Sequence, residues 1–332
     1  MMGFNRIIVG DAVTELRRLP AASVDCCMTS PPYFQLRNYQ VRGQLGLEAS
    51  VDDWVANIRN VCREVGRVLV PTGSLWLNVG DSYSRDIRYG APDKSLLLAP
   101  ERLLRALLDD GWLVRNKVVW AKPNPMPSSV RDRLNTTHEF IYLLTRQQRY
   151  YFDLDAIRLP HRSHRPAGAT ATAAPAKPPS WSGPLAGTNS GLNRLKANGR
   201  VGHPLGKNPG DVWVVATGGN RYQHHATYPE RLVELPLRAG CPERVCVACG
   251  EPWRRRAAKT LGHLAIMGTL AAGCDCAAGW RPGVVLDPFI GSGTTAVVAE
   301  RLGRAWAGIE LNPEFATLAR QRISDARKEH AA

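Results

Sequence analysis

Val284-Val285-Leu286-Asp287-Pro288-Phe289-Ile290-Gly291-Ser292-Gly293-Thr294-Thr295-Ala296, running on to Ala305-Trp306-Ala307-Gly308-Ile309-Glu310, is the stretch from which the fold is read. The opening apolar run predicts a buried strand, and Asp287 to Gly293 a glycine-bearing loop. Thr294 to Leu302 then reads as a helix and Ala305 to Glu310 as the next strand. A strand, a helix and a second strand of this length form a βαβ unit, which implies a parallel pair. The pattern repeats outward. Ile7-Ile8-Val9 ends at Gly10-Asp11, and Val13, Leu16 and Leu19 follow at helical spacing. Val24 to Met28 is a strand ending at Thr29-Ser30-Pro31-Pro32-Tyr33. Val51 to Leu69 carries a one-sided apolar stripe, and Ser74 to Val79 is the next strand after the break at Pro71-Thr72-Gly73. Pro100 opens a helix with Leu103, Leu104, Leu107 and Leu108 inward, ending near Gly111. Trp112 to Trp120 and Glu139 to Thr145 are further strands, and Pro313 to Lys328 is a last helix with Phe315, Leu318 and Ile323 inward. The expectation is a doubly wound, mostly parallel sheet, whose ligands sit at the carboxyl ends of its strands.

Three chemically loaded segments fall at such ends: Gly10-Asp11, Thr29 to Tyr33, and Asp287 to Gly293. In the last, two glycines let the backbone turn tightly and approach a ligand. Glu310 follows at about 20 residues, where a carboxylate can take both hydroxyls of a ribose. Gly291-x-Gly293-x-x-Ala296 also fits a dinucleotide fingerprint, so a nicotinamide dehydrogenase stays open. Asp287 argues the other way, because it would repel a pyrophosphate and suit an ammonium group.

Thr29 to Tyr33 poses a different chemistry. The lone pair of an exocyclic amine on a nucleobase is delocalised into the ring. Acceptors for the amino hydrogens help to free it. Ser30 followed by the Pro31 carbonyl offers two acceptors side by side, the prolines stiffen the loop, and Tyr33 offers a face for a base turned out of its helix. A plain Pro-Pro turn capped by Ser is the structural alternative.

Taken together, Ser30-Pro31-Pro32-Tyr33 and Phe289-Ile290-Gly291-Ser292-Gly293 resemble the catalytic and cofactor motifs of the DNA amino-methyltransferases. Catalytic motif before cofactor motif resembles the order of the β class. Gly10-Asp11, Asn78-Val79-Gly80-Asp81 and Trp120-x-Lys122-x-Asn124-x-x-Pro127, with Arg131 and Glu139, resemble further family segments. His224-His225-Ala226-Thr227-Tyr228-Pro229 departs from the family pattern by His225 in place of Pro. The resemblance implies a seven-stranded, circularly permuted, Rossmann-like methyltransferase sheet with S-adenosylmethionine as cofactor. It implies Ser30, Pro31, Pro32 and Tyr33 as the catalytic set. Asp11, Thr29, Thr227, Pro229, Asp287, Phe289, Gly291, Ser292, Gly293, Thr294, Glu310 and Leu311 are implied around the cofactor. Ser at the first motif position resembles the cytosine-N4 branch, with adenine N6 as the alternative. RNA or protein as substrate stays open.

The composition fits these expectations. The chain has 332 residues and a formal charge of +14, with 43 Lys plus Arg against 29 Asp plus Glu. Such basicity points to a polyanionic partner, here double-stranded DNA. No apolar run is long enough for a membrane helix and the first residues do not resemble a signal peptide, so the expected location is cytoplasmic. A homodimer is left open. Cys26, Cys27 and Cys62 lie in apolar contexts and read as reduced core residues. Cys246-x-x-Cys249 and Cys274-x-Cys276 read as a tetrahedral thiolate set for structural zinc, with Cys241 and His263 as alternative ligands. Trp253, Arg254, Arg255, Arg256 and Lys259 lie between the halves and suit phosphate contact. A zinc-containing DNA-binding protein without activity is a further rival. The expected domains are residues 1–155, the catalytic half; 156–210, a flexible insert for target recognition; 211–240, the return to the main domain; 241–280, the zinc module; and 281–332, the cofactor half.

Overall fold

The computed structural model describes residues 4–161, 203–218, 228–256, 259–261 and 264–331. Its main sheet consists of β1 (Arg6–Val9), β2 (Val24–Thr29), β3 (Leu69–Val79), β4 (Leu113–Ala121), β5 (His138–Thr145), β6 (Val212–Val214), β7 (Val284–Asp287) and β8 (Ala305–Glu310). Their order across the sheet is β1-β8-β7-β2-β3-β5-β4-β6. All neighbours are parallel except the two pairings of β5. β4 and β5 follow each other directly in the chain, and consecutive neighbours without a crossover helix must run antiparallel.

The sheet has eight strands where seven are expected. The extra one is β6, which runs along the open edge of β4. The Val119 N–H donates to the Asp211 carbonyl at 2.7 Å and the Val215 N–H to the Ala121 carbonyl at 3.1 Å. An otherwise unpaired strand edge is thereby satisfied.

Helices α1 (Ala12–Arg18), α2 (Val51–Val68), α3 (Ala99–Asp109), α4 (Glu230–Gly240), α5 (Thr294–Arg301) and α6 (Pro313–Ala331) flank the strands. α2 follows its sequence pattern closely. Ser50 caps it by accepting from the Asp53 N–H at 3.1 Å, and Trp54, Ile58, Val61, Cys62 and Val65 are buried along one stripe. β3 begins earlier than expected, because the chain stays extended through Pro71-Thr72-Gly73. The irregularity appears instead as a register shift against β2. In α3 Leu103 and Leu107 are buried, but Leu108 is exposed, contrary to expectation. At 100° per residue it falls outside the inward stripe. β2 is buried along its whole length. Burial pushes the thiols of Cys26 and Cys62 up to about 12, so these core cysteines are unreactive.

Asp110, just beyond α3, ties that helix to α2. It accepts from Arg59 Nε at 2.8 Å and from Arg63 Nε and Nη2 at 2.8 and 3.0 Å. Hydrogen bonds from Arg59 and then Arg63 hold its carboxyl well below the usual range. A depressed carboxyl stabilises the fold above the ordinary carboxylate range and loses that contribution as the pH falls through its folded value. Asp110→Asn should therefore cost about 1 kcal/mol at pH 7. The gap from the parent should begin to narrow as the pH falls below about 4 and close only below the depressed folded value, as read by urea unfolding across an acid pH series.

Two units divide the chain: residues 1–153, 210–254 and 272–332 in one, and 154–209 with 255–271 in the other. In the second unit Leu159 pairs with Lys207, and Arg158 bonds Asp155 at 2.6 Å and the Gly206 carbonyl at 3.2 Å. A short antiparallel pair joins Lys259–Leu261 to Leu264–Ile266. Residues 162–202, the middle of the expected recognition insert, lie outside the described residues. No described helix is long and apolar enough to cross a membrane.

Candidate active site

β2 and β7 are parallel neighbours, so the loops that leave their carboxyl ends emerge side by side. One hydrogen bond joins them: Thr29 Oγ1 donates to Asp287 Oδ1 at 2.6 Å across 258 residues of sequence. Beyond that bond lies a cleft of about 870 Å³, counted with its open mouth. Ser30 and Pro32 line it from the β2 loop, and Phe289, Gly291, Ser292 and Thr294 from the β7 loop. Glu310 and Leu311 line it from the end of β8, and Gly10 and Asp11 from the end of β1. The segments expected at the carboxyl ends of three strands thus share one concavity.

The glycine loop owes its shape to positive φ. Gly291 sits at +51° and Gly293 at +83°, and Gly293 is the residue that opens α5. Glu310 braces the loop. Its Oε2 accepts from the Gly291 N–H and its Oε1 from the Asn312 N–H, both at 2.9 Å. Burial pushes this carboxyl above its usual range despite those bonds. Asp11 lines the cleft while its Oδ1 caps α1, accepting from the Thr14 N–H at 2.8 Å.

Asp287 does not line the cleft. It is buried and faces the protein's own groups: Thr29 at 2.6 Å, Thr295 at 2.6 Å, Tyr228 at 3.0 Å and the Phe289 N–H at 3.1 Å. Each of its two oxygens accepts two hydrogen bonds from these groups. Its place is behind the wall, holding the two loops together. Gly293 and Pro229 also stand outside the lining, Pro229 as the residue that opens α4. Thr227 and His263 lie outside the described residues.

The Thr29–Tyr33 loop is pinned on its other side. The Pro32 carbonyl accepts from the Trp54 indole at 2.9 Å. Pro31 is buried, and Tyr33 is half-buried behind the cleft. The Tyr33 hydroxyl lies 2.6 Å from Glu139 Oε2, 3.1 Å from Asn78 Oδ1 and 3.3 Å from the Ser30 hydroxyl that donates to it. A Cβ at Gly80 would come within 2.6 Å of the Tyr33 ring, so glycine is needed there for close approach.

Three contributors to the cleft are not among the site residues expected from the sequence. The Tyr39–Leu45 segment supplies one wall, Tyr228 another, and Phe315 a third. Phe315 meets Tyr39 edge to face, with ring centroids 6.1 Å apart. Gly43 and Gly46 both take positive φ, and a Cβ at Gly46 would come within 2.8 Å of the Tyr33 carbonyl oxygen.

Away from the cleft, the sulfur atoms of Cys246, Cys249, Cys274 and Cys276 all lie within 4.8 Å of one another. Backbone N–H groups of Cys249 and Ala248 point at the Cys246 sulfur and hold its thiol below the usual value, while hydrogen bonds within the cluster raise Cys276 and the Cys249 and Cys246 sulfurs raise Cys274. That geometry suits a thiolate ligand set. Cys241 is not part of the cluster; it is buried in the core, its thiol pushed well up by burial. Arg254 pairs with Glu251 at 3.6 Å.

The family model for N6/N4 DNA methylases matches residues 24–321, from the start of β2 into the last helix. The chain belongs to this family of DNA methylases. The methylase is 33% identical to the Type II methyltransferase M.Cfr9I of Citrobacter freundii over 95% of its own length and 86% of the relative's. Its fold matches the PvuII DNA methyltransferase (cytosine-N4-specific) with a TM-score of 0.58 at 17% identity, covering 98% and 95% of the two chains. It also matches a putative DNA modification methylase of Thermus thermophilus solved in complex with S-adenosyl-L-methionine, with a TM-score of 0.54 at 22% identity over 97% and 93%.

Proposed function

We propose that this methylase moves a methyl group from S-adenosylmethionine to the N4 amine of a cytosine turned out of duplex DNA. The observation that carries the reading is the Thr29–Asp287 bond, because it sets Ser30 and the Gly291–Thr294 loop on one cleft. When bound, the cofactor supplies an electrophilic methyl group on a sulfonium. Glu310 and Asp11 would take its ribose and adenine ends, and the N–H groups of the glycine loop would meet its carboxylate. Ser30 and the Pro31 carbonyl would accept the amino hydrogens of the base and hold its nitrogen in line for displacement. Pinning of this loop by Trp54 and Asp287 gives that positioning its rigidity.

Ser at the first motif position supports cytosine over adenine, and the net charge of +14 supports a nucleic-acid substrate. Nucleosides from bacterial DNA exposed to the enzyme decide the base. The expected product is 4-methylcytosine; 6-methyladenine would keep the chemistry and overturn the base assignment. Loss of the Glu310 carboxylate removes both a ribose contact and the brace on Gly291. Glu310→Ala should raise the dissociation constant for S-adenosylmethionine by about tenfold or more, the equivalent of one charged hydrogen bond. Equilibrium dialysis with labelled cofactor reads this directly.

The four cysteines fit a structural zinc ion, with no ligand position left for catalysis. One zinc per chain is expected by elemental analysis of protein purified without chelator. A metal-free, fully folded preparation would rule the assignment out. Target-sequence recognition is assigned to 156–210 on composition. Exchanging this segment with that of a relative of different specificity should move the methylated sequence with it.

A further inference from the structure

Methylation of an exocyclic amine leaves a nitrogen with one proton too many. A loop that accepts amino hydrogens must also pass one of them on. The bond directions behind Ser30 offer a path. Its hydroxyl donates to Tyr33 Oη at 3.3 Å, and Tyr33 donates to Glu139 Oε2 at 2.6 Å. A phenol carries one hydrogen, and the short, charge-assisted contact to the carboxylate claims it over Asn78 Oδ1 at 3.1 Å. Asn78 fixes the carboxylate from the side, its Nδ2 donating to Glu139 Oε2 at 3.1 Å and to the Phe140 carbonyl at 3.1 Å. Lys122 pairs with Glu139 at the outer end, and its side chain retains 19% exposure, enough to reach water.

We infer that Ser30, Tyr33 and Glu139 form a proton relay leading from the target amine to a carboxylate behind the catalytic loop. The inference rests on the reading of Ser30 as the amine's acceptor. Before transfer, the ionised Glu139 orients both hydroxyl hydrogens away from the cleft, so that Ser30 presents lone pairs to the amine. Hydrogen-bond chains of this kind strengthen along their length. After transfer, the surplus N–H proton moves to Ser30 Oγ, the Ser30 proton to Tyr33 Oη, and the Tyr33 proton to Glu139 Oε2. The amine ends neutral, both hydroxyls are restored, and Glu139 ends as a neutral acid that returns its proton to water on the Lys122 side. Tyr33 stays a phenol throughout; burial, and then the facing carboxylate, push its hydroxyl well above the usual range. Glu139 is accordingly a positioning residue that acts through Tyr33. The titratable or charged groups facing it are Tyr33, from the loop after β2, and Lys122, from the segment after β4.

The test is the single-turnover rate of methyl transfer to unmethylated bacterial genomic DNA, with saturating labelled S-adenosylmethionine, measured against pH. The parent enzyme should lose rate on the acid side in a one-proton limb. Glu139→Gln and Tyr33→Phe should each be slower by about 10²-fold and lack that limb, with unchanged cofactor affinity and a cooperative thermal transition. Glu139→Asp should keep the limb. A Glu139→Gln enzyme with the parent rate, or with the acid limb intact, overturns the relay while leaving the methyl-transfer reading standing. A parent enzyme that binds cofactor but labels no DNA overturns both.

Discussion

Ser30→Ala should lower the single-turnover rate of DNA methylation by about 10²–10³-fold, the effect of removing one oriented dipole from a preorganised site. The Ser30 hydroxyl lines the cleft at the end of a loop held by Trp54, by Asp287 through Thr29, and by Tyr33. The Trp54 and Thr29–Asp287 anchors do not involve the Ser30 side chain, so alanine leaves the loop in place while removing the acceptor and its bond to Tyr33. Affinity for S-adenosylmethionine should hardly move, because its proposed contacts lie on the other loop. Rapid-quench kinetics with labelled cofactor, paired with equilibrium binding, separate the two quantities. A large loss of cofactor affinity with an intact transfer rate would mean that the roles of the two loops are exchanged.

Asp287→Ala should have the other large effect, and it should be structural first. The Thr29 and Thr295 hydroxyls, the Tyr228 hydroxyl and the Phe289 N–H converge on this one buried carboxylate. Alanine leaves them without their acceptor, at about 1–3 kcal/mol for each group that finds no replacement. The expected total is about 3–5 kcal/mol, with loss of cofactor binding and of activity together, since both loops are released. Asp287→Asn should be much milder, because the three hydroxyls can rotate to serve an amide. Urea denaturation of both variants checks the contrast. The pH dependence has a defined sign. Burial raises the Asp287 carboxyl in the folded state and outweighs the hydrogen bonds that lower it. Its contribution to stability is therefore fully present below the unfolded value and declines as the pH rises through the folded one. The Asn variant should lack that slope.

Much of this architecture was legible in local patterns. The β7 loop announces itself through an apolar run, two glycines and a helix, all within one short segment. The β2 loop does so through its paired prolines. The cysteine pairs are legible for the same reason, since each half of the cluster lies within four residues of sequence. What was not legible depends on distant partners. Asp287 reads as a ligand-facing carboxylate until Thr29 and Tyr228 are seen to occupy it, 258 and 59 residues away. Glu139 lies 106 residues from Tyr33, and nothing in either segment announces their contact. The Tyr39–Leu45 wall has no helical or strand period, and α4 carries Pro236 in its interior, which masks a helix from pattern reading. Leu108 shows the limit from the other side: an apolar residue adjoining the stripe that the final packing leaves exposed.

The measurement closest to the central claim is the fate of an isotopically labelled methyl group. Unmethylated DNA is incubated with the enzyme and methyl-labelled S-adenosylmethionine, digested to nucleosides and resolved by mass spectrometry. The account predicts the label on the exocyclic nitrogen of cytosine, appearing about 10²–10³-fold more slowly when Ser30→Ala replaces the parent. Label on a ring carbon, or no label on DNA from an enzyme that binds the cofactor, would contradict it.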